Sequence, residues 1–409
     1  MDRIIKVTGR EILNAKGKPT VEAKVYTESG IITSASTPSG TSKGKYEAHE
    51  LYDGGTRYDG YGTRTACKLI NTEINNALCG MDVTDQRLID KTMCDLDGTP
   101  NKERLGGNAI IAVSMAAAKA GAMAQKKPLY RTLKAETTPK LPDIIATVIS
   151  GGEYSPSGLE FEDYLYIFHG YETFAQMLED LTKTRKHLEK ILVKEYGSFP
   201  EDGGALAPPV KTSEEAFDWM LRAAEEMGCR EHVSLGLDVA AGELYDGETG
   251  KYKAMGSLVT KEELTDHYIE LCAKYPLTYI EDPFDQDDFD AHANLKRLAP
   301  SGTQIIGDDL FVTNTGRLKT GIEHNSATTL LLKVNQIGTV TEAIAANDMA
   351  VNAGMDVTVS MRSGDTPEDF IADLSVAVNA RQIKLGSPVR AERTSKFNRL
   401  LEIEEELNA

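Results

Sequence analysis

Charged residues stand directly behind three short apolar runs in the second half of the chain, where buried strands would end. The runs and the charges behind them are 277–280 before Glu281, Gln304–Gly307 before Asp308, and Thr329–Leu332 before Lys333. Short apolar runs separated by helix-like segments are typical of parallel strands in βα units. In a closed (β/α) barrel, the groups behind such strands meet at the mouth. Each charge alone would suit an ordinary loop, but the three together favour a metal-and-base site.

A further carboxylate behind a strand candidate completes a possible metal site. Asp238 lies near the end of the segment 232–239, which precedes Glu281 and Asp308 in the chain. Three carboxylates that converge on one point repel each other unless a cation lies between them. Oxygen ligands favour magnesium, calcium or manganese over zinc, and no histidine stands at these strand ends. The pattern predicts that the three acids hold a hard divalent cation.

Two lysines behind later strands indicate the chemistry that such a cation would assist. Beside a divalent cation in a barrel mouth, Lys333 and Lys384 would have a lowered pKa and could act as bases. The reaction indicated is removal of a proton next to a carboxylate, with the metal stabilising the enediolate. The alternative for either lysine is a salt bridge to one of the acids. Arg362 and Ser363 would suit a phosphate, which arginine binds with two hydrogen bonds.

The order of the predicted elements gives the fold class. Segments 4–8, 20–27 and 31–36 predict three consecutive antiparallel strands, and segments 61–77, 85–96 and 107–126 predict helices. After residue 142, strand and helix candidates mostly alternate to residue 409. The sequence therefore predicts an α/β protein with an α+β domain over residues 1–130, a linker with two prolines over 131–142, and a barrel over 143–409.

The composition limits the class of partner and the compartment. With 45 Lys and Arg against 63 Asp and Glu, the formal charge is −18, which argues against nucleic acid or an anionic membrane as the main partner. The five cysteines form no CxxC pair, as expected for free thiols in a reducing cytosol rather than for a disulfide framework or a zinc site. The first residues lack the long apolar segment of a signal peptide. We expect a soluble cytoplasmic protein.

One loop of the first domain combines small residues with lysines. The segment PSGTSKGKYEAHEL contains Gly40, Ser42 and Gly44 together with two lysines. Such residues predict a mobile loop. On composition alone, a hairpin connection is favoured over a lid that closes on an anionic ligand.

Eight segments spread along nearly the whole chain match one known family in order and spacing. They are PSGTSKGKYEAHEL, GGNAIIAV, LDVAAGELY, YIEDPF, GDDLFVTN, LLLKVNQIGTVTEA, RSGDTPEDFIADL and RTSKFNRLLEIEEEL. With these segments the sequence resembles enolase, the glycolytic phosphopyruvate hydratase. The combination of LLLKVNQIGT and GDDL with an upstream EDPF is highly specific. The resemblance implies an N-terminal α+β capping domain and a modified (β/α)8 barrel whose first strands and helices do not simply alternate. It also implies a homodimer or a larger homo-oligomer.

The resemblance assigns the metal ligands. It implies that Asp238, Glu281 and Asp308 hold a first magnesium ion. Ser42, on the mobile loop, would close over the substrate and help to hold a second magnesium ion. The site would therefore contain two magnesium ions.

The resemblance also assigns the groups that act on the substrate. Lys333 would be the general base that takes the proton alpha to the carboxylate. Lys384 would bind the substrate carboxylate, and Arg362 and Ser363 would bind the phosphate. These roles agree with the reaction indicated by the strand-end charges, with a small phosphorylated carboxylate as the substrate.

Four positions depart from the enolase pattern, and in enolase they surround the leaving hydroxyl and its proton donor. Tyr154 and Met361 stand where enolase has histidines, and Asp163 and Asp202 stand where it has glutamates. Glu162 or Glu160 could substitute for Asp163 if the preceding loop shifts, and Glu201 is the neighbour of Asp202. Aspartate withdraws the carboxyl by about one methylene, and a misplacement of about 1 Å can lower a rate about 10²-fold. Methionine can neither donate nor accept a proton.

Three functions remain open on this basis. The first is magnesium-dependent dehydration of 2-phosphoglycerate to phosphoenolpyruvate by a carbon-oxygen lyase, with Asp163 and Asp202 as catalytic acids. The second is a divergent lyase or isomerase that acts on a related phosphorylated or phosphonylated carboxylate with a different leaving group. The third is a catalytically weak paralogue with a binding role, which the retained carboxylates and lysines disfavour. We further expect Tyr154 and Met361 to line the substrate cavity together with Lys333, whereas the choice between Glu162 and Asp163 stays open.

Overall fold

The computed structural model describes residues 1–40, 43–134, 136, 138–153 and 155–409. Two residues assigned to the site from the sequence, Ser42 and Tyr154, lie outside the described residues. Within these ranges the chain forms a small antiparallel sheet with helices, followed by a closed barrel. The α/β class and the two-part organisation predicted from the sequence are confirmed.

The N-terminal part is a three-stranded antiparallel sheet covered by helices. Its strands are β1 (Ile4–Leu13), β2 (Pro19–Thr27) and β3 (Ile32–Ser36), paired in that order. Its helical segments are α1 (Arg64–Leu69), a π-helical turn (Ile70–Ile74), α2 (Asn75–Leu78), α3 (Gln86–Asp97), α4 (Gly107–Gln125) and α5 (Leu129–Leu133), with a 3₁₀ turn at Arg57–Gly60. The helix α4 is apolar on most faces and lies against the sheet, so it forms the core of this part.

That same helix is the described segment whose length and composition would suffice to cross a membrane. It has 19 residues, and 83% of its most apolar window is buried inside the protein. Burial against β2 and β3 accounts for its apolar character, because a core helix has no solvent-facing side to fill with polar residues.

The remaining chain builds the barrel. Its strands are β4 (Asp143–Ser150), β5 (Asp163–Phe168), β6 (Glu201–Asp202), β7 (Ala205–Leu206), β8 (Val233–Asp238), β9 (Tyr245–Asp246), β10 (Lys251–Ala254), β11 (Ser257–Val259), β12 (Leu277–Glu281), β13 (Gln304–Gly307), β14 (Thr329–Leu332), β15 (Asp356–Ser360) and β16 (Gln382–Lys384). Its helices are α6 (Phe174–Tyr196), α7 (Ser213–Glu226), α8 (Ala241–Leu244), α9 (Lys261–Lys274), α10 (Phe289–Leu298), α11 (Thr315–His324), α12 (Val334–Ile337), α13 (Val340–Asn352), α14 (Phe370–Ala377) and α15 (Ala391–Asn408), with a 3₁₀ turn at Arg230–His232.

Eight of these strands close on themselves in the described part of the chain. Their order is β4, β5, β8, β12, β13, β14, β15 and β16, and β16 pairs with β4. β5 is antiparallel to both of its neighbours, whereas the other barrel pairings are parallel. This single reversed strand agrees with the modified barrel that the resemblance implies.

The barrel interior is a packed apolar layer below the mouth. Its members are Ile145, Leu165, Ile167, Tyr279, Ile306 and Leu331. Gly236 faces the same space, and a Cβ there would lie 3.1 Å from Leu165 Cβ and 3.3 Å from Tyr279 Cβ. The missing side chain therefore makes room for two large neighbours. Because side chains alternate along a strand, the residues two positions above this layer also point inward, toward the open end.

Two short elements near the mouth are not apparent in the sequence pattern. The two-residue strands β6 and β7 form a hairpin beside β4. The strands β9, β10 and β11 form a separate small antiparallel sheet. Strands of two to four residues are too short for a period-two pattern to be recognised, which explains why they escape prediction.

Candidate active site

The register of three neighbouring strands brings three carboxylates together at the barrel mouth. Asp238 pairs with Glu281 on one side and with Asp163 on the other. Because β5 is reversed, its first residue lies level with the last residues of β8 and β12. Each of the three residues stands two positions from the inward-facing layer, so the alternation along the strand directs its side chain inward.

An ammonium group bridges these carboxylates. Lys384 Nζ lies 2.6 Å from Asp238 Oδ2, 2.8 Å from Glu281 Oε2 and 3.9 Å from Asp163 Oδ2. The Lys384 side chain is 3% exposed and the Glu281 side chain is fully buried. The Tyr279 hydroxyl donates a further hydrogen bond of 2.7 Å to Glu281 Oε2. The buried acids are thus held together by positive charge from the protein itself.

A second lysine–carboxylate pair lies on the next strands. Lys333 Nζ donates to Asp308 Oδ2, and Gln336 Nε2 donates a 2.7 Å hydrogen bond to Asp308 Oδ1. The Thr313 hydroxyl lies 3.0 Å from Gln336 Oε1 and accepts a 3.0 Å hydrogen bond from the Lys333 amide. Because the hydroxyl occupies the amide oxygen of Gln336, the amide nitrogen faces Asp308.

A second acidic cluster shares one residue with the predicted metal ligands. Carboxylate oxygens of Asp282, Asp308 and Asp309 lie within 4.8 Å of one another. Both oxygens of Asp282 accept backbone hydrogen bonds, at 2.9 Å from the Asp308 amide and at 2.7 Å from the Asp309 amide. Asp282 therefore holds the turn after β13. This hydrogen bonding gives it a structural role, so we keep Asp238, Glu281 and Asp308 as the candidate ligands.

The donor set at the mouth fits a hard divalent cation. The predicted ligands offer only carboxylate oxygens, which magnesium prefers. Glu281 Oε1 is buried and has no hydrogen-bond partner among the described residues, so one donor atom is available. Lys384 bridges Asp238 and Glu281, and Lys333 pairs with Asp308, so the protein itself places positive charge among these buried carboxylates.

The acids and lysines of this cluster shift the pKa values of one another. Burial raises the pKa of Asp238 to about 6 although Lys384 opposes the shift. Burial and the Asp238 charge raise the pKa of Glu281 to about 8. For Lys384, burial favours the neutral amine, but Asp238 and Glu281 outweigh it and raise the pKa well above its usual value.

The pKa values of Lys333 and Asp308 shift in opposite directions. Burial favours the neutral amine, but the Asp308 carboxylate outweighs it, and the pKa of Lys333 is raised. The pKa of Asp308 moves the opposite way: burial raises it, but Lys333 and Arg362 outweigh burial and lower it. The lowered pKa predicted for Lys333 applies to the lysine beside a bound divalent cation, and it stays a prediction.

The predicted phosphate-binding arginine is fixed by a residue of the N-terminal part. Arg362 donates from Nη1 to Glu47 Oε2 at 2.9 Å and from Nη2 to Glu47 Oε1 at 3.0 Å. Its backbone is held by Arg393, whose Nη1 donates to the Arg362 carbonyl at 2.7 Å and whose Nη2 donates to the Ser363 carbonyl at 3.0 Å. Both ends of Arg362 are therefore constrained.

The departing end of the predicted site contains several acids and one thioether. Glu162, Asp163 and Asp202 line the same cavity as Met361 and Lys333. The prediction that Met361 shares a cavity with Lys333 is confirmed, whereas the same prediction for Tyr154 falls on a residue outside the described part of the chain. Arg393 Nη1 lies 2.7 Å from Met361 Sδ.

Glu162 and Asp163, between which the sequence left the choice open, both line the cavity. Asp163 lies on β5 and faces the barrel interior, where its Oδ2 accepts a 3.0 Å hydrogen bond from the Thr147 hydroxyl. Glu162 lies on the preceding loop and also lines the cavity. Burial, together with the charges of Asp163 and Glu243, raises the pKa of Glu162 to about 8. Burial likewise raises the pKa of Asp163, against the charge of Lys384.

The loop between β4 and β5 is anchored to the small sheet. Glu160 does not face the cavity; its oxygens accept hydrogen bonds of 2.6 Å from the Met255 amide and 2.8 Å from the Gly256 amide. Both donors lie in the turn between β10 and β11, where Met255 has φ of 53° and Gly256 has φ of 69°. Glu201 likewise serves structure, because it pairs with Arg185 at 2.6 Å.

One cavity collects most of the residues predicted from the sequence. Those that line it are Asp163, Asp202, Asp238, Lys333, Met361, Arg362, Ser363 and Lys384. Glu281 and Asp308 do not line it but contact the two lysines that do, Lys384 and Lys333. Three residues near the site, Lys16, Glu47 and Arg393, were not predicted from the sequence. The loop segment PSGTSKGKYEAHEL, which contains Glu47, was the feature of the sequence that could have indicated this residue. Its partner, Arg362, lies 315 positions away in the chain.

Comparison with known proteins identifies relatives over the full chain. A family model described as "Enolase, N-terminal domain" matches residues 4–133, and one described as "Enolase, C-terminal TIM barrel domain" matches residues 138–409. The enolase of Methanopyrus kandleri is 46% identical over 412 residues, which cover 100% of this chain and 96% of the relative. The enolase of Thermococcus kodakarensis is 44% identical over 409 residues, covering 99% of this chain and 95% of the relative. That of Methanococcus maripaludis strain C7 is 42% identical with the same coverage.

Proposed function

The chain belongs to the enolase family, and from this membership we propose that it is a phosphopyruvate hydratase, a hydro-lyase of glycolysis. It converts 2-phosphoglycerate to phosphoenolpyruvate and water. The observation that carries the proposal is the single cavity in which two lysines, a cluster of carboxylates and an arginine meet. A phosphorylated carboxylate offers two anionic groups, and this cavity offers cationic partners for both.

The lysines and the arginine act on different groups of the substrate. Arg362 and Ser363 bind the phosphate, and Lys384 binds the carboxylate. Lys333 takes the proton from the carbon next to that carboxylate, and the electron pair of the broken C–H bond enters the forming double bond. This role requires a neutral amine. The ion pair between Lys333 and Asp308 therefore has to weaken when magnesium and the substrate bind.

Magnesium is the cofactor that the donor set supports. Asp238, Glu281 and Asp308 would hold the first ion, and Ser42 would contribute to a second. Bound magnesium supplies the positive charge that stabilises the developing enediolate. The number of ions per site, two, is part of the proposal.

Loss of the hydroxyl needs a proton from the opposite end of the cavity. The C–O bond breaks as the double bond forms, and the hydroxyl leaves as water after accepting a proton. Asp163 and Asp202 are the proposed catalytic carboxyls, and Glu162 joins them because its raised pKa keeps it protonated near neutral pH. A protonated carboxyl is the form that a general acid requires.

A second candidate function follows from Met361. A thioether that lines the departing end cannot take part in proton transfer, and the nearby cation of Arg393 would suit an anionic group. A related phosphorylated or phosphonylated carboxylate with another leaving group would then be the substrate. A purely binding role is disfavoured by the retained lysine and carboxylate clusters.

One assay separates these functions. The purified protein is incubated with 2-phosphoglycerate and magnesium, and formation of phosphoenolpyruvate is followed by absorbance. We expect robust turnover in the wild type and its loss in Lys333→Ala. Exchange of the alpha proton with deuterated solvent, without elimination, would support the second candidate. Absence of product, of exchange and of a magnesium-dependent thermal shift would leave only the binding role.

The proposal extends to assembly and compartment. We propose a homodimer or a larger homo-oligomer in the cytoplasm. The absence of a disulfide among the five cysteines supports a reducing compartment. Sedimentation velocity at micromolar concentration tests the assembly.

A further inference from the structure

We propose that Glu47, a residue of the N-terminal part, is a positioning residue for Arg362 and couples the loop that carries it to the metal-and-base end of the cavity. The inference rests on the assignment of Arg362 to the phosphate in the proposed function. It adds a role for the N-terminal part: that part supplies the counter-ion that orients an active-site group of the barrel.

The contact between the two residues is buried and bidentate. Both Nη atoms of Arg362 donate to Glu47, at 2.9 and 3.0 Å, and the two side chains are only 4% and 6% exposed. Two parallel hydrogen bonds fix the plane of a guanidinium as well as its position. Asn335 Oδ1, at 3.3 Å from Nη1, adds a third partner. The orientation that Arg362 presents to the cavity is therefore set by the N-terminal part.

Glu47 also reaches the other end of the site. Its Oε1 lies 3.5 Å from Gln336 Nε2, the same nitrogen that donates to Asp308 at 2.7 Å. Asp308 in turn pairs with Lys333. A single chain of polar contacts thus links the phosphate-binding arginine to a proposed metal ligand and to the proposed base.

The segment around Glu47 is docked on the barrel, and we call residues 43–50 the docked segment. The Lys45 amide donates to Gln286 Oε1 at 2.8 Å, and the Ala48 amide donates to the Gln336 carbonyl at 2.7 Å. The guanidinium of Arg317 lies 4.0 Å from the centre of the Tyr46 ring. These contacts are made by the residues on either side of Glu47. They fix the backbone around Glu47, and Arg362 fixes its carboxylate.

The close approach at the start of the docked segment leaves no space for a side chain. A Cβ at Gly44 would lie 2.6 Å from Val312 Cγ1 and 2.8 Å from Asp309 Oδ1. The Gly44 amide also donates to Glu47 Oε1 at 3.1 Å. The docked segment therefore packs tightly against the barrel at Gly44, and this packing places Glu47 beside Arg362.

Charge and geometry predict opposite effects when Glu47 is neutralised. If Glu47 only competed with phosphate for Arg362, removing its charge would strengthen phosphate binding, because a nearby carboxylate repels an anion. If Glu47 positions Arg362, its removal releases the guanidinium from the cavity-facing orientation and weakens phosphate binding. The sign of the change therefore distinguishes the two.

The test measures binding of inorganic phosphate by calorimetry to the wild type, Glu47→Gln, Glu47→Asp, Arg362→Lys and the double variant Glu47→Gln/Arg362→Lys. We expect the dissociation constant to rise at least fivefold in Glu47→Gln and in Glu47→Asp, which keeps the charge and shortens the side chain. We expect no further rise when Glu47→Gln is added to Arg362→Lys, because Glu47 acts through Arg362.

The matched control is Glu368→Gln. Glu368 is a 9% exposed carboxylate that pairs with Lys119 across the same two parts of the chain, so its loss reports the general effect of breaking such a pair. We expect its phosphate dissociation constant to match that of the wild type. Unchanged or tighter phosphate binding in Glu47→Gln, or an equal loss in the control, would overturn the inference. Failure of the wild type to form phosphoenolpyruvate would reject the proposed function separately, since phosphate binding needs no turnover.

Discussion

Replacing Lys384 by methionine removes the ammonium group that bridges two buried carboxylates, and its consequences follow from the geometry. Lys384 Nζ lies 2.6 Å from Asp238 and 2.8 Å from Glu281. Removing one partner of a buried ion pair typically destabilises a protein by about 3–5 kcal/mol, because the remaining charge is left without compensation. Methionine keeps most of the volume of the lysine stem, so the loss measures charge more than packing.

The loss should depend on pH, and its sign can be worked out. Lys384 holds down the pKa values of both acids, which burial raises to about 6 for Asp238 and to about 8 for Glu281. Without the lysine these values rise further. A carboxyl whose pKa is raised in the folded protein contributes stability that is lost as the pH rises through the folded-state value. The variant should therefore be closer to the wild type at pH 6 and fall further below it at pH 8.

Magnesium should reverse the loss. A divalent cation that binds these carboxylates in the folded protein stabilises it more the more tightly it binds, and in the variant it no longer competes with an ammonium group. We expect the magnesium-induced rise in unfolding temperature to be larger in Lys384→Met than in the wild type. The assay is thermal unfolding in EDTA and in millimolar magnesium at pH 6 and pH 8, without substrate.

A matched variant guards against a general effect of losing a buried lysine. Lys396 is 1% exposed and donates to two carbonyls, at 2.9 Å to Thr366 and at 2.7 Å to Glu392. Lys396→Met should unfold earlier in EDTA but gain no extra response to magnesium. Equal unfolding temperatures of Lys384→Met and the wild type in EDTA, or equal magnesium responses, would refute the assignment of these carboxylates as a cation site.

Three further variants test the reaction and the departing end. Lys333→Ala should lower kcat by about 10²–10⁴-fold, as loss of a general base does, and should also abolish alpha-proton exchange in deuterated solvent; retained exchange would exclude Lys333 as the base. Burial raises the pKa of Glu162 to about 8, so the free energy of unfolding should fall less steeply from pH 5 to pH 8 in Glu162→Gln than in the wild type. Denaturant titrations in EDTA across that range measure this, and an equal pH dependence in the two proteins would contradict the burial argument. Met361→His should speed elimination of water while leaving alpha-proton exchange at its wild-type rate, as measured by mass spectrometry; an unchanged elimination rate would argue that position 361 does not face the leaving group.

The strand-end pattern was sufficient to predict the barrel and the carboxylates at its mouth. Glu281 and Asp308 break apolar runs with charge, and a charge at that point of a parallel strand has few structural uses. The register that places Asp163 beside Asp238 was harder to predict from the sequence, because it depends on the reversed direction of β5. Nothing in the sequence of β5 itself distinguishes an antiparallel strand from a parallel one.

The interactions between distant residues could not be predicted from the pattern. The sequence left open whether each lysine acts as a base beside a cation or forms a salt bridge with one of the acids. The structure pairs Lys333 with Asp308 and Lys384 with Asp238, and these carboxylates outweigh burial and raise the pKa of each lysine. Glu47 meets Arg362 across 315 positions, and no local property of the loop indicates that partner. Such pairs depend on how the two parts of the chain dock, which is decided by packing rather than by periodicity.

The reversed strand β5 also has an evolutionary consequence. Because it begins at the mouth, the loop before it belongs to the departing end of the cavity, and Glu160 ties that loop to a small sheet outside the barrel. The metal-and-base residues come from other strands. Mutations in that loop can therefore alter the proposed leaving-group end of the cavity, which Asp163, Asp202 and Met361 also line, without changing the strands that carry the proposed metal ligands and the two lysines.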